Sequence, residues 1–143
     1  MSFRIHNRRN IVALVAVAVL AHLAVTMFHG RAHEQLAIGL STWQNVYVMS
    51  VILAAPLIAM VLTWTRLARM GLYLLILSMF GALIFGFFYH YVSVSPDNVA
   101  HLPPGDARGL FRTTALLLLV TELFGVVVGV VALRGQAARI QHQ

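Results

Sequence analysis

The chain contains four long apolar runs that carry almost no charged side chains. These runs cover residues 11–29, 43–65, 70–92 and 110–133. An α-helix rises 1.5 Å per residue, so about 20 residues cross a hydrocarbon core of roughly 30 Å. Only 10% of the chain is charged, against about 25% in soluble domains, which is too little to cover a water-facing surface. The sequence predicts an all-α, polytopic membrane protein, an antiparallel four-helix transmembrane bundle that residues 1–143 form as a single domain.

The ten arginines predict how this bundle is oriented. Seven lie at the termini or in the short connection between the second and third runs; of the other three, two lie in the longer connections and one at the start of the fourth run. The first group is Arg4, Arg8, Arg9, Arg66, Arg69, Arg134 and Arg139, and the second is Arg31, Arg108 and Arg112. The positive-inside rule then places both termini in the cytoplasm. Because no lipidation or organelle-targeting motif is present, the sequence favours a bacterial inner membrane.

A cleaved signal peptide is an alternative interpretation of the first run. Basic residues precede the run, and small residues between Ala21 and Ala24 resemble a cleavage site. Cleavage there would leave three spans. The run of 19 uncharged residues exceeds the usual signal-peptide core of about 7–15 residues, so a retained span is favoured.

Glu122 is the most informative single residue, because it lies near the middle of the fourth run. A carboxylate at the centre of a bilayer costs about 2.5–3.5 kcal/mol on insertion scales, so Glu122 is expected to face the bundle interior. In the first run, His22 lies at a depth from which its imidazole would reach Glu122 if those two helices touch. Such an intramembrane polar pair would titrate as a unit and act as a proton relay. In the alternative, Glu122 is a packing residue and His22 binds a backbone carbonyl.

Gly125 and Gly129 follow Glu122 on the same helical face. Small residues four apart let two membrane helices approach closely. This face is therefore predicted to be a helix-packing surface, either for another helix of this chain, for a membrane-protein partner or for a second copy of the chain. The net charge of +6 comes from arginines that flank the apolar runs, where they set the membrane topology. This charge therefore does not indicate a nucleic-acid partner. The expected surrounding of the chain is the lipid bilayer.

Histidines are concentrated at the predicted outer side. The candidate metal ligands there are His29, His33, His90 and His101, with Asp97 among the nearby carboxylates. Imidazoles mixed with carboxylates suit zinc, copper or iron. His29 and His33 have helical i, i+4 spacing, although Gly30 between them makes a continuous helix doubtful. Solvated loop histidines that bind nothing are the simpler interpretation.

Haem b is a narrower version of the metal hypothesis. His29 and His90 fall at similar depth, so two axial imidazoles would face each other across the bundle. The sequence favours no cofactor, and a transition metal or haem b remain the open alternatives.

Catalytic motifs are missing from the sequence. It contains no cysteine, and no hydrolase, phosphate-binding or dinucleotide-binding signature appears. A small non-enzymatic membrane protein is therefore favoured, an accessory or interaction subunit that packs through its fourth span. The alternative is a proton-linked or metal- or haem-binding membrane protein that uses His22, Glu122 and the outer histidines.

Overall fold

The computed structural model describes residues 8–140. All regular secondary structure in this part of the chain is helical, and it contains no strand. The long helices are α1, Arg8–Gln35; α2, Thr42–Thr63; α3, Ala68–Val92; and α4, Arg108–Ile140. Each is long and apolar enough to cross a membrane. The prediction of four membrane-spanning helices in an all-α protein is confirmed.

Neighbouring helices run antiparallel. Gly71 near the start of α3 lies against Ala59 and Thr63 near the end of α2. Gly129 in the second half of α4 lies against Ile76 in the first half of α3. The start of α1 shares a core with the end of α4, and α4 packs between α1 and α3.

One half of the bundle, which we call the packed half, is a close-packed apolar core. It is formed by residues 11–19 of α1, Ala55–Thr63 of α2, residues 71–79 of α3 and residues 125–132 of α4. Val15, Leu72 and Leu75 are completely buried in it. Glycines allow the helices to approach: a β-carbon on Gly129 would lie 2.5 Å from Cγ1 of Ile76. The face that Gly125 and Gly129 form is therefore occupied by α3 of the same chain.

The other half, which we call the open half, is less tightly closed. It is formed by residues 22–36 of α1, Thr42–Ala54 of α2, residues 85–92 of α3 and residues 108–122 of α4. Helices α1 and α2 contact each other mainly through Ala55–Thr63 in the packed half. In the open half they are farther apart. A smaller core connects the end of α1, the loop that joins α3 to α4, and the start of α4. It contains Ala32, Leu36, Leu102 and Phe111.

A π-helical segment, Val48–Ala54, interrupts α2 in the open half. Pro56 follows it and has no backbone N–H, so it cannot bond the carbonyl of Ile52 four residues earlier. Short π segments of this kind occur often at functional sites. A second one, Phe88–Val92, ends α3 and contains His90.

A candidate metal centre and its cavity

Three histidines and one aspartate converge in the open half. His29 and His33 belong to α1, His90 to the π-helical end of α3, and Asp97 to the following loop. His33 Nε2 lies 3.2 Å from His29 Nε2 and 3.2 Å from Asp97 Oδ1, and His90 Nδ1 lies 3.3 Å from the same carboxylate oxygen. His29, His90 and Asp97 are buried and can offer ligand atoms within 4.8 Å of one another. We call these four residues the histidine cluster.

The end of α1 places two members of the cluster. The expected break at Gly30 is wrong: α1 continues to Gln35, and His29 and His33 share one helical face. Ala37, two residues after the end of α1, has a left-handed φ of 52°, and the Ala37 N–H donates to the Glu34 carbonyl and the Ile38 N–H to the His33 carbonyl. This is a Schellman motif with alanine where glycine is usual. It brings the Ile38 carbonyl within 3.3 Å of His33 Nδ1.

The loop after α3 folds back onto His90. The Val99 N–H donates to the His90 carbonyl at 3.0 Å, and His90 Nδ1 lies 3.0 Å from the Asp97 carbonyl. Asn98 fixes the turn, because its side-chain amide donates to Ser93 and its side-chain oxygen accepts from the Ala100 N–H. These bonds hold the Asp97 carboxylate against the imidazoles.

Hydrogen bonds at the Nδ1 atoms indicate which ring nitrogen carries the proton in each histidine. When the Thr114 hydroxyl donates to the Leu110 carbonyl at 2.8 Å, it accepts from His29 Nδ1 at 2.8 Å. Nδ1 of His33 and Nδ1 of His90 each face a backbone carbonyl, which can only accept. When these three imidazoles are neutral, each Nε2 is therefore an unprotonated lone-pair donor.

The two ring nitrogens and the carboxylate form a site that favours a positive charge. Two lone-pair nitrogens, those of His29 and His33, face each other at 3.2 Å beside a carboxylate oxygen. In the tautomers described above, all three atoms are acceptors, and the contacts between them are repulsive. Either an additional proton or a metal ion bound by the Nε2 atoms resolves the repulsion.

Asp97 lies outside the spans and remains ionised. Burial by itself would raise its pKa above the ordinary 3.8, but the contacts with His33 and His90 outweigh burial and lower the pKa. The cluster therefore contains a carboxylate anion at neutral pH. An anion beside these imidazoles favours a positive charge in the cluster, either a proton on a ring nitrogen or a bound cation.

A cavity of about 500 Å³ adjoins the cluster. Its polar lining includes the cluster, Thr26, Asn45 and Glu122, and its apolar walls come from residues such as Ile38, Val48, Ile52, Phe85 and Leu118. Glu122 is 1% exposed, and its Oε2 has no hydrogen-bond partner among the described residues. A β-carbon on Gly86 would lie 3.8 Å from Glu122 Oε2 and 3.8 Å from His90 Cδ2, so this carboxyl group lies near the cluster.

His22 has a different partner from the one in the proposed relay. Its Nε2 lies 3.2 Å from the Ile52 carbonyl, and no hydrogen bond or ion pair joins it to Glu122 within residues 8–140. Because Pro56 has no N–H to offer, the imidazole supplies a donor in place of the missing α-helical one. The arrangement corresponds to the alternative in which His22 binds a backbone carbonyl.

The remaining predicted site residues lie apart from the cluster. His101 is exposed on the loop after α3, and Gly125 and Gly129 lie in the packed half against Met79 and Ile76. Sequence reasoning did not select Thr114, and it noted Asp97 only as a nearby carboxylate. A threonine on the fourth span and an aspartate in a turn carry no local signal of metal binding.

The rings of His29 and His90 lie too close together to enclose a haem. Their centroids are 4.7 Å apart and the rings meet edge to face. A porphyrin plane between two axial imidazoles needs space that this contact removes. The donor set fits a single ion better than it fits a macrocycle.

Comparison with known proteins gives no relative for this chain. No protein-family model matches it, and neither a curated protein nor a solved structure is similar to it.

Proposed function

We propose that this small membrane protein binds a divalent transition-metal ion in the open half of its bundle. His29, His33 and Asp97 are the proposed ligands, and His90, whose Nδ1 lies 3.3 Å from the same Asp97 oxygen, is the fourth. The observation that carries the proposal is the contact of His29 Nε2 with His33 Nε2 beside the Asp97 carboxylate, while Nδ1 of each of these two histidines faces a hydrogen-bonding oxygen. Metal-binding histidines in proteins are oriented in this way.

The spacing of the donor atoms supports the same conclusion. Nitrogen ligands about 2.0–2.1 Å from a tetrahedral zinc ion lie about 3.3 Å from each other. The Nε2 atoms of His29 and His33 are 3.2 Å apart, and Asp97 Oδ1 is 3.2 Å from His33 Nε2. Three imidazoles and one carboxylate suit zinc, iron, manganese or copper(II) better than softer ions, which prefer sulfur ligands.

The proposal is tested by metal analysis of the full chain purified in detergent. We expect the wild type to retain zinc or another first-row divalent ion, and His33→Ala and Asp97→Ala to lose it. His101→Ala is the matched control, because it removes an exposed histidine from the loop that carries Asp97 and should leave metal content unchanged. A wild-type chain that takes up no divalent ion, even after loading, would contradict the proposal.

Thr114→Val tests the orientation of His29 without removing a ligand. Valine has nearly the shape of threonine but offers no acceptor to His29 Nδ1. We expect metal affinity to fall by about 10–100-fold, as it does when such supporting bonds are lost. Chelation should also lower the unfolding temperature of the wild type. If a shared proton fills the cluster instead, chelation and Thr114→Val will leave metal content at background.

The interaction-subunit hypothesis has a narrower basis. Its proposed surface, Gly125 and Gly129, packs against α3 within the chain, so a partner would have to bind elsewhere. An accessory role, a bacterial inner membrane and cytoplasmic termini stay predictions from the sequence.

A further inference from the structure

Glu122 is a buried polar group that the metal centre does not use. It is 1% exposed, its Oε2 has no partner within residues 8–140, and it lines the cavity of about 500 Å³. Unpaired polar atoms in protein interiors cost free energy and call for an explanation. The remaining walls are largely apolar, as in typical small-molecule sites of about 300–1,000 Å³.

We propose that this cavity binds a neutral lipid-soluble alcohol, with its hydroxyl group on Glu122 and its hydrocarbon part against the apolar walls. The hydrocarbon part would contact Val48 and Ile52 of α2, Phe85 of α3 and Leu118 of α4, all of which line the cavity. The proposal does not depend on the metal, because its anchor is a carboxyl group outside the histidine cluster.

A hydroxyl group fits Glu122 for two reasons. It can donate to a carboxylate or accept from a carboxylic acid, so it satisfies Glu122 in either protonation state. It also crosses hydrocarbon at far lower cost than an ammonium ion does. Among the described residues no arginine lines the cavity, which leaves the position beside Glu122 open to a ligand.

Two exposed residues of the cavity lining indicate an opening between α1 and α2. Gly30 of α1 and Asn45 of α2 both line it and are exposed, and a β-carbon on Gly30 would meet nothing within 4 Å. The two helices contact each other mainly in the packed half. A molecule dissolved in the lipid can therefore reach Glu122 without passing through the packed core.

Photolabelling of the full chain in phosphatidylcholine nanodiscs tests the proposal. The probe is octanol that carries a diazirine group, and the matched probes are the corresponding alkane and primary amine. We expect the alcohol to label wall residues such as Val48 and Phe85, and excess octanol to prevent this labelling. Glu122→Leu should reduce it about tenfold, the effect of one hydrogen bond to a buried polar group.

Three variants show whether the probe is recognised by its hydroxyl group or only fills the free space of the cavity. Glu122→Gln should retain labelling, because an amide both donates and accepts. Gly30→Phe should abolish it by closing the opening. Glu34→Leu is the control, because it removes an exposed carboxylate at the rim that pairs with Arg31. Unchanged unfolding temperatures will show that the variants are folded.

Two results would overturn the proposal. Equal labelling by the alkane and the alcohol would make the cavity an unspecific lipid gap. Stronger labelling by the amine, lost in Glu122→Gln, would make it a cation site. His33→Ala separates this test from that of the metal, because it should remove the metal and leave alcohol labelling intact.

Discussion

Glycines in the two halves of the bundle have opposite surroundings. In the packed half, a β-carbon on Gly71 would lie 2.8 Å from the Ala59 carbonyl oxygen and 2.9 Å from Leu62 Cβ. In the open half, a β-carbon on Gly30 would meet no atom within 4 Å. Glycine permits close helix approach in the first case and leaves an opening in the second. The packed half depends on steric fit, which tolerates little change in volume.

The open half is held by hydrogen bonds more than by close packing. Its polar side chains bond to backbone carbonyls and turns: His22 to Ile52, His33 to Ile38, and Asn98 to Ser93. Because the helices of the open half are not closely packed, a cavity lies beside the histidine cluster. The comparison predicts that steric changes will destabilise the packed half most and that polar changes will act mainly on the open half.

The largest expected effect is that of Gly71→Ala. The added methyl group would collide with backbone atoms of α2, which cannot rotate away as a flexible side chain can. We expect a loss of about 3 kcal/mol in the free energy of unfolding, the upper end of the usual cost of overpacking. Unfolding in detergent mixtures, followed by circular dichroism, measures it.

Gly30→Ala is the matched substitution in the open half. It should leave stability unchanged or raise it by about 1 kcal/mol, because alanine favours helix more than glycine does. If Gly30→Ala and Gly71→Ala lost the same unfolding free energy, the proposed difference between the packed and open halves would be wrong.

His22→Phe is expected to have an intermediate effect. The ring is replaced by one of similar shape, but the Ile52 carbonyl loses its donor. Leaving this group unpaired should cost about 2 kcal/mol. In a Pro56→Ala background the restored N–H can bond the same carbonyl, so the cost should fall by about 1 kcal/mol. A double-mutant cycle on unfolding free energies gives this difference, and additive effects would show that Pro56 and His22 are independent.

Ala37→Gly should also have a small effect, and it should be stabilising. Ala37 has a left-handed φ of 52°, which costs an L-residue about 1–2 kcal/mol. Glycine relieves this strain but loses more chain entropy on folding. The net gain should be at most about 1 kcal/mol in unfolding experiments. A loss of stability would indicate that Ala37 is not strained and that the end of α1 is positioned in another way.

Much of the fold could be predicted, because hydropathy and helix length act locally. The predicted span 43–65 corresponds to Thr42–Thr63, and 70–92 to Ala68–Val92. The end of α1 was the exception. Gly30 suggested a boundary, but a glycine facing open space neither crowds nor stops a helix, and the Schellman motif around Ala37 ends α1 instead.

The candidate site was predictable only in part. Periodicity suggested His29 and His33, and depth suggested His90. Asp97 joins them because the loop after α3 folds back, and His101 four residues later points to solvent. The choice between these two loop residues depends on turn hydrogen bonds that no local pattern reveals.

The sequence by itself determined that this chain has four membrane-spanning helices, because 20 apolar residues in a row have few other stable states next to a bilayer. It also required Glu122 to be buried, because an exposed carboxylate in lipid is costly. Only the tertiary structure decided that His22 binds the Ile52 carbonyl and that α3 covers Gly125 and Gly129. It also decided that Glu122 faces a cavity beside three imidazoles. These outcomes depend on helix order and on loop geometry, which arise from contacts between residues far apart in the chain.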